Sequence, residues 1–106
     1  MQAVFVGPDE EGLVDALREQ DVDVRRIEGV ADGDALAEAG VGDADLFVLT
    51  DAGQATAVVV AREQNPDVRI VAYTDDSLPE FVSGQEVLAV DPALLGPDAV
   101  AEELTG

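Results

Sequence analysis

The sequence predicts an α/β domain built on a doubly wound parallel sheet of five strands. Two near-continuous apolar runs, residues 46–50 and 68–73, are bounded by Asp, Gly or Pro, as is typical of strands that are buried on both faces. The segment between them, residues 52–64, ends at Asn65-Pro66, where a helix cannot continue. Strand, helix and strand make one βαβ unit of about 30 residues.

The valine run at residues 58–60 leaves an alternative open. Because β-branched residues favour strands, propensity alone predicts a hairpin between this run and the strand at 46–50. We favour the helix, because parallel strands need a crossover of this length. Four alanines also surround the valines: Ala52, Ala55, Ala57 and Ala61.

The other elements follow from similar patterns. Residues 2–6 and 22–27 predict the first two strands, and residues 87–90 predict the last. Gly7-Pro8 ends the first strand, and residues 9–12 open a helix with Leu13, Val14 and Leu17 on one face. The remaining signals are Asp32 as the cap of a short helix that Gly40 closes, a helical turn with Leu78, Phe81 and Val82 turned inward, and a terminal helix that begins at Pro97 and packs through Val100 and Leu104.

These elements give one domain over residues 1–106, with strand order 2-1-3-4-5 and helices on both faces. Ligands of such sheets bind at the carboxyl ends of the strands, where the winding reverses. Here that crevice lies between the first and third strands, and residues 7–12 and 50–53 are expected to line it.

Composition restricts the partners and the chemistry. The chain has 24 acidic residues and five basic ones, all Arg, and its net charge is -19. This balance is typical of halophilic archaea, which keep molar salt in the cytoplasm, where carboxylate repulsion is screened. We therefore expect a fold that loosens in low salt, no binding of nucleic acid, no membrane insertion and a cytoplasmic location. Without Cys, His or Lys, the chain lacks the usual nucleophiles and bases, which predicts a non-catalytic protein.

Several short motifs, in order, resemble a TrkA-N (RCK) domain, the Rossmann-type nucleotide-binding regulatory domain of potassium channels and transporters. The matching motifs are Leu36, Ala39-Gly40-Val41, Ala44-Asp45, Ala61-Arg62, Asn65-Pro66, residues 68–72, residues 84–87 and Asp91-Pro92. The resemblance implies a Rossmann-like module that senses NAD or another adenine nucleotide. It also implies a link to potassium transport, with the chain acting as a homodimer or on a separate protein partner.

The resemblance would place the cofactor at Gly7, Asp9, Gly12, Glu28, Thr50 and Asp51. Its Gly-rich loop is degenerate, because Asp9 replaces the glycine that lets the backbone approach a pyrophosphate. Glu28 stands where an acid holds a ribose hydroxyl, but the segment after it is too short for the family's third strand. The structural alternative is that the two glycines only shape a turn. The replaced glycine and the missing strand imply that dinucleotide binding is weak or lost.

Response-regulator receiver domains are a second resemblance. They place acids after the first strand, Asp after the third, Thr after the fourth and Lys-Pro after the fifth. This chain has Asp9 and Glu10, Asp51 one residue late, Thr74, and Asp91-Pro92 in place of Lys-Pro. Because no Lys can contact a phosphorylated Asp, phosphotransfer is disfavoured. Magnesium at Asp9, Glu10 and Asp51 and a small NAD-dependent oxidoreductase remain alternatives to the leading interpretation, a stand-alone ligand-sensing or protein-interaction module.

Overall fold

Five parallel strands form one sheet in the order β2-β1-β3-β4-β5. The computed structural model describes all residues, 1–106. The strands are β1 (Gln2–Val6), β2 (Asp23–Ile27), β3 (Leu46–Leu49), β4 (Arg69–Tyr73) and β5 (Val87–Val90). The predicted fold class and strand order are confirmed.

Four α-helices connect or follow the strands, together with three short three-ten helices. The α-helices are α1 (Leu13–Glu19), α2 (Gly33–Glu38), α3 (Thr56–Gln64) and α4 (Pro97–Thr105), and the three-ten helices are Val41–Asp43, Ala52–Gln54 and Glu80–Gln85. The Asp32 carboxylate accepts the N–H of Ala35 at 2.9 Å, which confirms Asp32 as the cap of α2. Gly40 follows α2 with φ +83°, a backbone angle that glycine adopts without strain.

The sheet separates two apolar layers. On one face, α1 and α4 pack against Phe5, Val48 and Val71. On the other face, α2 and α3 pack against Phe47 and Ile70. Strands β1 and β3 are therefore covered on both sides, and no charged residue is buried.

The valine run lies on the crossover helix, so the hairpin alternative is wrong. Val58 is fully buried in α3, the helix that connects the parallel strands β3 and β4 along the chain. The helix begins at Thr56, later than predicted, because the Asp51 carboxylate accepts the N–H of Gly53 at 2.9 Å and holds a three-ten turn first. Asn65 ends α3, and its side-chain amide donates to the carbonyls of Val41 and Ala44 at 3.0 and 2.9 Å.

The connection between β4 and β5 contains no α-helix. The three-ten helix Glu80–Gln85 takes its place and buries Val82. Phe81 does not turn inward as predicted, since 45% of it is exposed. None of the helices combines the length and the apolarity that a bilayer crossing requires.

Candidate functional site

A crevice of about 290 Å³ lies at the carboxyl ends of the strands. Its ten lining residues are the last residue of β4 and residues from the segments that follow β1, β3, β4 and β5: Pro8, Asp9, Glu10, Glu11, Thr50, Tyr73, Thr74, Asp75, Pro92 and Ala93. Parallel strands end at the same edge of a sheet, which is why these segments meet. Four of the lining residues are acidic and none is basic, so the crevice repels anions.

Asp9 caps the first helix. Its carboxylate accepts the N–H of Leu13 at 2.7 Å and of Val14 at 3.3 Å. Gly12 stands at the N-cap position and has no side chain to do this. The acid in the degenerate glycine loop therefore satisfies free helix N–H groups, which is the position where a phosphate would bind.

Thr50 connects the ends of β1 and β3. Its hydroxyl donates to the carbonyl of Pro8 at 2.6 Å, and its backbone N–H donates to Val6 at 2.9 Å. Gly7 lies tightly against this junction with φ +110°. A Cβ added at Gly7 would collide with the Thr50 hydroxyl and come within 2.8 Å of the backbone nitrogen of Asp51. Close packing of the two loops therefore explains why position 7 is a glycine, which has no Cβ.

Three further polar side chains at this edge fold back onto their own loops. Asp51 accepts the N–H of Gly53, Thr74 accepts the N–H of Asp76 at 3.1 Å, and Asp91 accepts the N–H of Ala93 at 2.8 Å. Such bonds are the usual turn-forming bonds of Asp and Thr. Asp51, Thr74 and Asp91 therefore hold turns in this structure.

Tyr73 forms part of the crevice wall and is almost fully buried. Its hydroxyl donates to the carbonyl of Leu95 at 2.8 Å and so ties β4 to the segment between β5 and α4. Burial raises the pKa of the Tyr73 phenol above its ordinary value of 10.0, and the negative charge of Glu11 adds to the shift. Tyr73 therefore stays protonated at neutral pH and acts as a donor.

The structure brings together only part of the cofactor site that the TrkA-N resemblance implied. Asp9 and Thr50 line the crevice, whereas Gly7, Gly12, Glu28 and Asp51 do not. Glu28 is exposed, at the end of β2. Sequence analysis assigned no role to Tyr73, Pro92 or Ala93 in the site, although each stands where a predicted strand ends, which is the signal that could have identified them.

The crevice has no cluster of three acidic side chains that could hold a metal ion and no cationic side chain in its lining. No three acidic side chains are placed to hold one metal ion, so Asp9, Glu10 and Asp51 do not form the magnesium site considered above. Arg26 on β2 donates to the carbonyl of Gly7 at 3.2 Å, and its guanidinium carbon lies 5.6 Å from the centroid of the Phe5 ring. Arg62 is occupied in the same manner, by the carbonyls of Val68 and Gln85.

A family model matches residues 3–104 of the chain and is described as a family of unknown function, DUF7126. The chain belongs to the DUF7126 family. This match covers almost the whole sheet and its helices, so the DUF7126 sequence pattern corresponds to the fold described above. No curated protein sequence matches the chain significantly.

Solved structures similar to this DUF7126 chain share its fold at low sequence identity. HP1043, named as an orphan response regulator of H. pylori, has a TM-score of 0.74 and 15% identity, covering 100% of this chain and 97% of its own. A pilus assembly-related protein of Burkholderia pseudomallei has a TM-score of 0.68 and 16% identity, covering 98% and 86%. A pilus assembly protein (CpaE) of Burkholderia thailandensis has a TM-score of 0.65 and 15% identity, covering 98% and 94%.

These likenesses overturn the TrkA-N interpretation. One of these similar structures is named as a response regulator and two are named as pilus assembly proteins, and none of the three is named as a TrkA-N or NAD-binding regulatory domain. The motifs quoted for TrkA-N lie mostly on the ends of α2 and α3 and on β4, elements that any doubly wound sheet contains. They indicated the fold correctly and the family wrongly.

Proposed function

We propose that this chain is a receiver-like protein-interaction domain that works without accepting a phosphoryl group. The observation that carries the proposal is the state of Asp51, which stands one residue later than the acid that follows the third strand in receiver domains. Its carboxylate holds the N–H of Gly53 and does not line the crevice. A side chain that stabilises its own turn is poorly placed for attack on a phosphoryl donor.

The surroundings of Asp51 support the same conclusion. The lining residues of the crevice include four acids and no cation, and no group of acids is arranged for a metal ion. Phosphoryl transfer needs positive charge to stabilise the transferring group. Asp91 stands before Pro92 where receiver domains have Lys, so the usual cationic partner of a phosphorylated Asp is missing.

The similarity in fold to a response regulator supports the proposal that the domain interacts with a partner. HP1043, the response regulator named above, is described as an orphan, and its fold covers this whole chain. A domain of this shape without the chemistry can still present a surface to a partner. We propose that the domain comprises the whole sequence and binds a separate protein.

Intact-mass analysis after treatment with acetyl phosphate and Mg²⁺ in molar KCl tests the proposal. We expect the mass to stay unchanged, while a receiver domain that accepts phosphoryl from acetyl phosphate is modified in the same buffer. Addition of one phosphoryl group to this chain that is lost in Asp51→Asn would overturn the proposal.

A further inference from the structure

Strand β5 is an edge strand without a charged residue. Its four residues are Val87, Leu88, Ala89 and Val90, and it pairs only with β4. The opposite edge, β2, has the sequence Asp-Val-Arg-Arg-Ile, so three of its five residues are charged. Charges on an edge strand discourage pairing with other chains. Although the chain has a net charge of -19, its charged residues protect the β2 edge and not the β5 edge.

The backbone of β5 has unused hydrogen-bonding groups. The N–H of Thr74 donates to the carbonyl of Val90 at 3.2 Å, which shows that the peptide groups of Val90 face β4. Because peptide groups alternate along a strand, those of Leu88 also face β4, whereas those of Val87 and Ala89 face outward. No loop or side chain bonds to the outward groups. These outward N–H and C=O groups can therefore pair with one more strand.

Both faces beside β5 are thinly covered. On one face, α4 packs against α1 instead of over β5, which leaves Leu88 43% exposed. On the other face, the short three-ten helix leaves a groove of about 300 Å³. This groove is lined by Leu78, Pro79, Glu80, Val82, Ser83, Val87 and Ala89. Alternate side chains of an added strand would therefore find apolar surface on each face of the sheet.

Charge decides which strand fits. Acids stand at both ends of β5, Glu86 before it and Asp91 after it. Two copies that meet through this same edge pair antiparallel, so the Glu86 end of one copy lies beside the Asp91 end of the other. Like charges directly across a strand pair are destabilising, and salt screens such close pairs less than it screens charges that are farther apart. A strand with basic ends is complementary instead.

We propose that the β5 edge binds an extended segment of a partner protein, with apolar residues at its centre and Lys or Arg at both ends. The added strand pairs with the outward peptide groups of Val87 and Ala89. Its basic ends contact Glu86 and the Oδ2 atom of Asp91, whose Oδ1 atom accepts the N–H of Ala93. This inference rests on the proposed interaction role and names the surface and the chemistry of the partner.

The test is a nitrogen-15 NMR titration at the lowest KCl concentration that keeps the protein folded, because salt screens surface charge pairs. The probe is an acetylated and amidated hexapeptide with Arg at both ends and alternating Val and Thr between them. The matched control peptide has Glu at both ends. We expect the Arg-ended peptide to shift the amide signals of residues 87–90. It should bind about tenfold more tightly than the Glu-ended peptide, because the two peptides carry opposite charges at both ends of the added strand.

Two variants make the test specific for the edge. Ala89→Pro removes an outward N–H, and proline is tolerated at such an edge position. It should abolish binding while the amide signals of β4 stay in place. Ala89→Ser keeps the N–H and should bind the peptide more tightly than Ala89→Pro.

Three results would overturn the inference. They are no shift at β5 with the Arg-ended peptide, equal binding of both peptides, and concentration-dependent shifts at β5 without peptide, which would mean self-association. None of these depends on phosphoryl transfer. Failure here is therefore distinct from failure of the proposed function, which shows as a change in intact mass.

Discussion

The crevice at the strand ends and the free edge at β5 differ in how their polar groups are used. In the crevice, the side chains of Asp9, Thr50 and Tyr73 all form hydrogen bonds with the protein's own backbone. At β5 every side chain is apolar, yet the peptide groups of Val87 and Ala89 have no partner. The crevice therefore keeps free only the acids Glu10, Glu11 and Asp75, whereas β5 has free peptide groups beside apolar side chains.

The comparison shows why residue types alone are a poor guide to a site. An Asp or Thr after a strand matches a catalytic pattern and a turn-forming pattern equally well. The hydrogen-bond partner distinguishes them, because a carboxylate that already accepts one or two N–H groups is held in place and has fewer acceptor positions left for a ligand. The following substitutions test whether the crevice residues are structural and whether the edge is free.

The largest effect is expected at Gly7. Gly7→Ala adds a Cβ that collides with Thr50 and forces φ +110° on a residue that disfavours it, so we expect a loss of about 3 kcal/mol of unfolding free energy. Gly12→Ala is the control, because it shares a positive φ but has open space around its Cβ, and it should cost about 1 kcal/mol. Urea denaturation in molar KCl measures both. Equal losses would show that the two loops are not tightly packed.

Replacement of Asp9 tests its role as a helix cap. Asp9→Ala removes the acceptor for the N–H groups of Leu13 and Val14 and should reduce stability by about 1.5 kcal/mol. Glu10→Ala removes a neighbouring acid that also lines the crevice and should change stability by less than about 0.5 kcal/mol. If Asp9→Ala left stability unchanged, Asp9 would be free for another role.

Tyr73→Phe removes one hydrogen bond and one titrating group. We expect a loss of about 1 kcal/mol at neutral pH, because the carbonyl of Leu95 loses its donor. The folded-state pKa of Tyr73 lies above its unfolded value, so the wild type loses stability as the pH rises past about 10. The variant lacks this contribution, and the gap in unfolding free energy should narrow between neutral and strongly alkaline pH. A gap that widens with pH would contradict the direction of the shift.

The smallest effect is expected at the edge itself. Ala89→Pro removes an N–H that has no partner and should cost less than about 1 kcal/mol. Ala72 is the residue opposite Ala89 in register on β4, inside the sheet. Ala72→Pro loses a ladder hydrogen bond and should unfold the protein, which circular dichroism would detect. Similar tolerance at both positions would mean that β5 is not the free edge.

The sequence predicted the architecture well because buried strands and crossover helices leave strong patterns. The apolar runs of β3 and β4, the stop at Asn65-Pro66 and the start at Pro97 all correspond to observed elements. The inward prediction for Phe81 was wrong, since the connection between β4 and β5 is a short three-ten helix that buries only Val82. Local apolar character does not show how much surface a tertiary neighbour covers.

The family and the site were harder to predict. Motifs such as Ala39-Gly40-Val41 and residues 68–72 record helix ends and strands that many α/β domains share, which is why they led to TrkA-N. Sequence spacing brought Asp9 and Thr50 to one crevice, because both follow neighbouring strands. It could not show that their side chains are already engaged, since that depends on loop geometry within about 3 Å.

One NMR sample tests the central claim most directly, namely that this domain acts through an edge strand and not through a phosphoryl site. Beryllofluoride with Mg²⁺, a mimic of the phosphoryl group, is added first, and the Arg-ended hexapeptide is added second. The account predicts no shift for the amides of Asp9, Asp51 and Thr74 in the first step and clear shifts for residues 87–90 in the second. Shifts around Asp51 in the first step, with a silent β5 in the second, would contradict it.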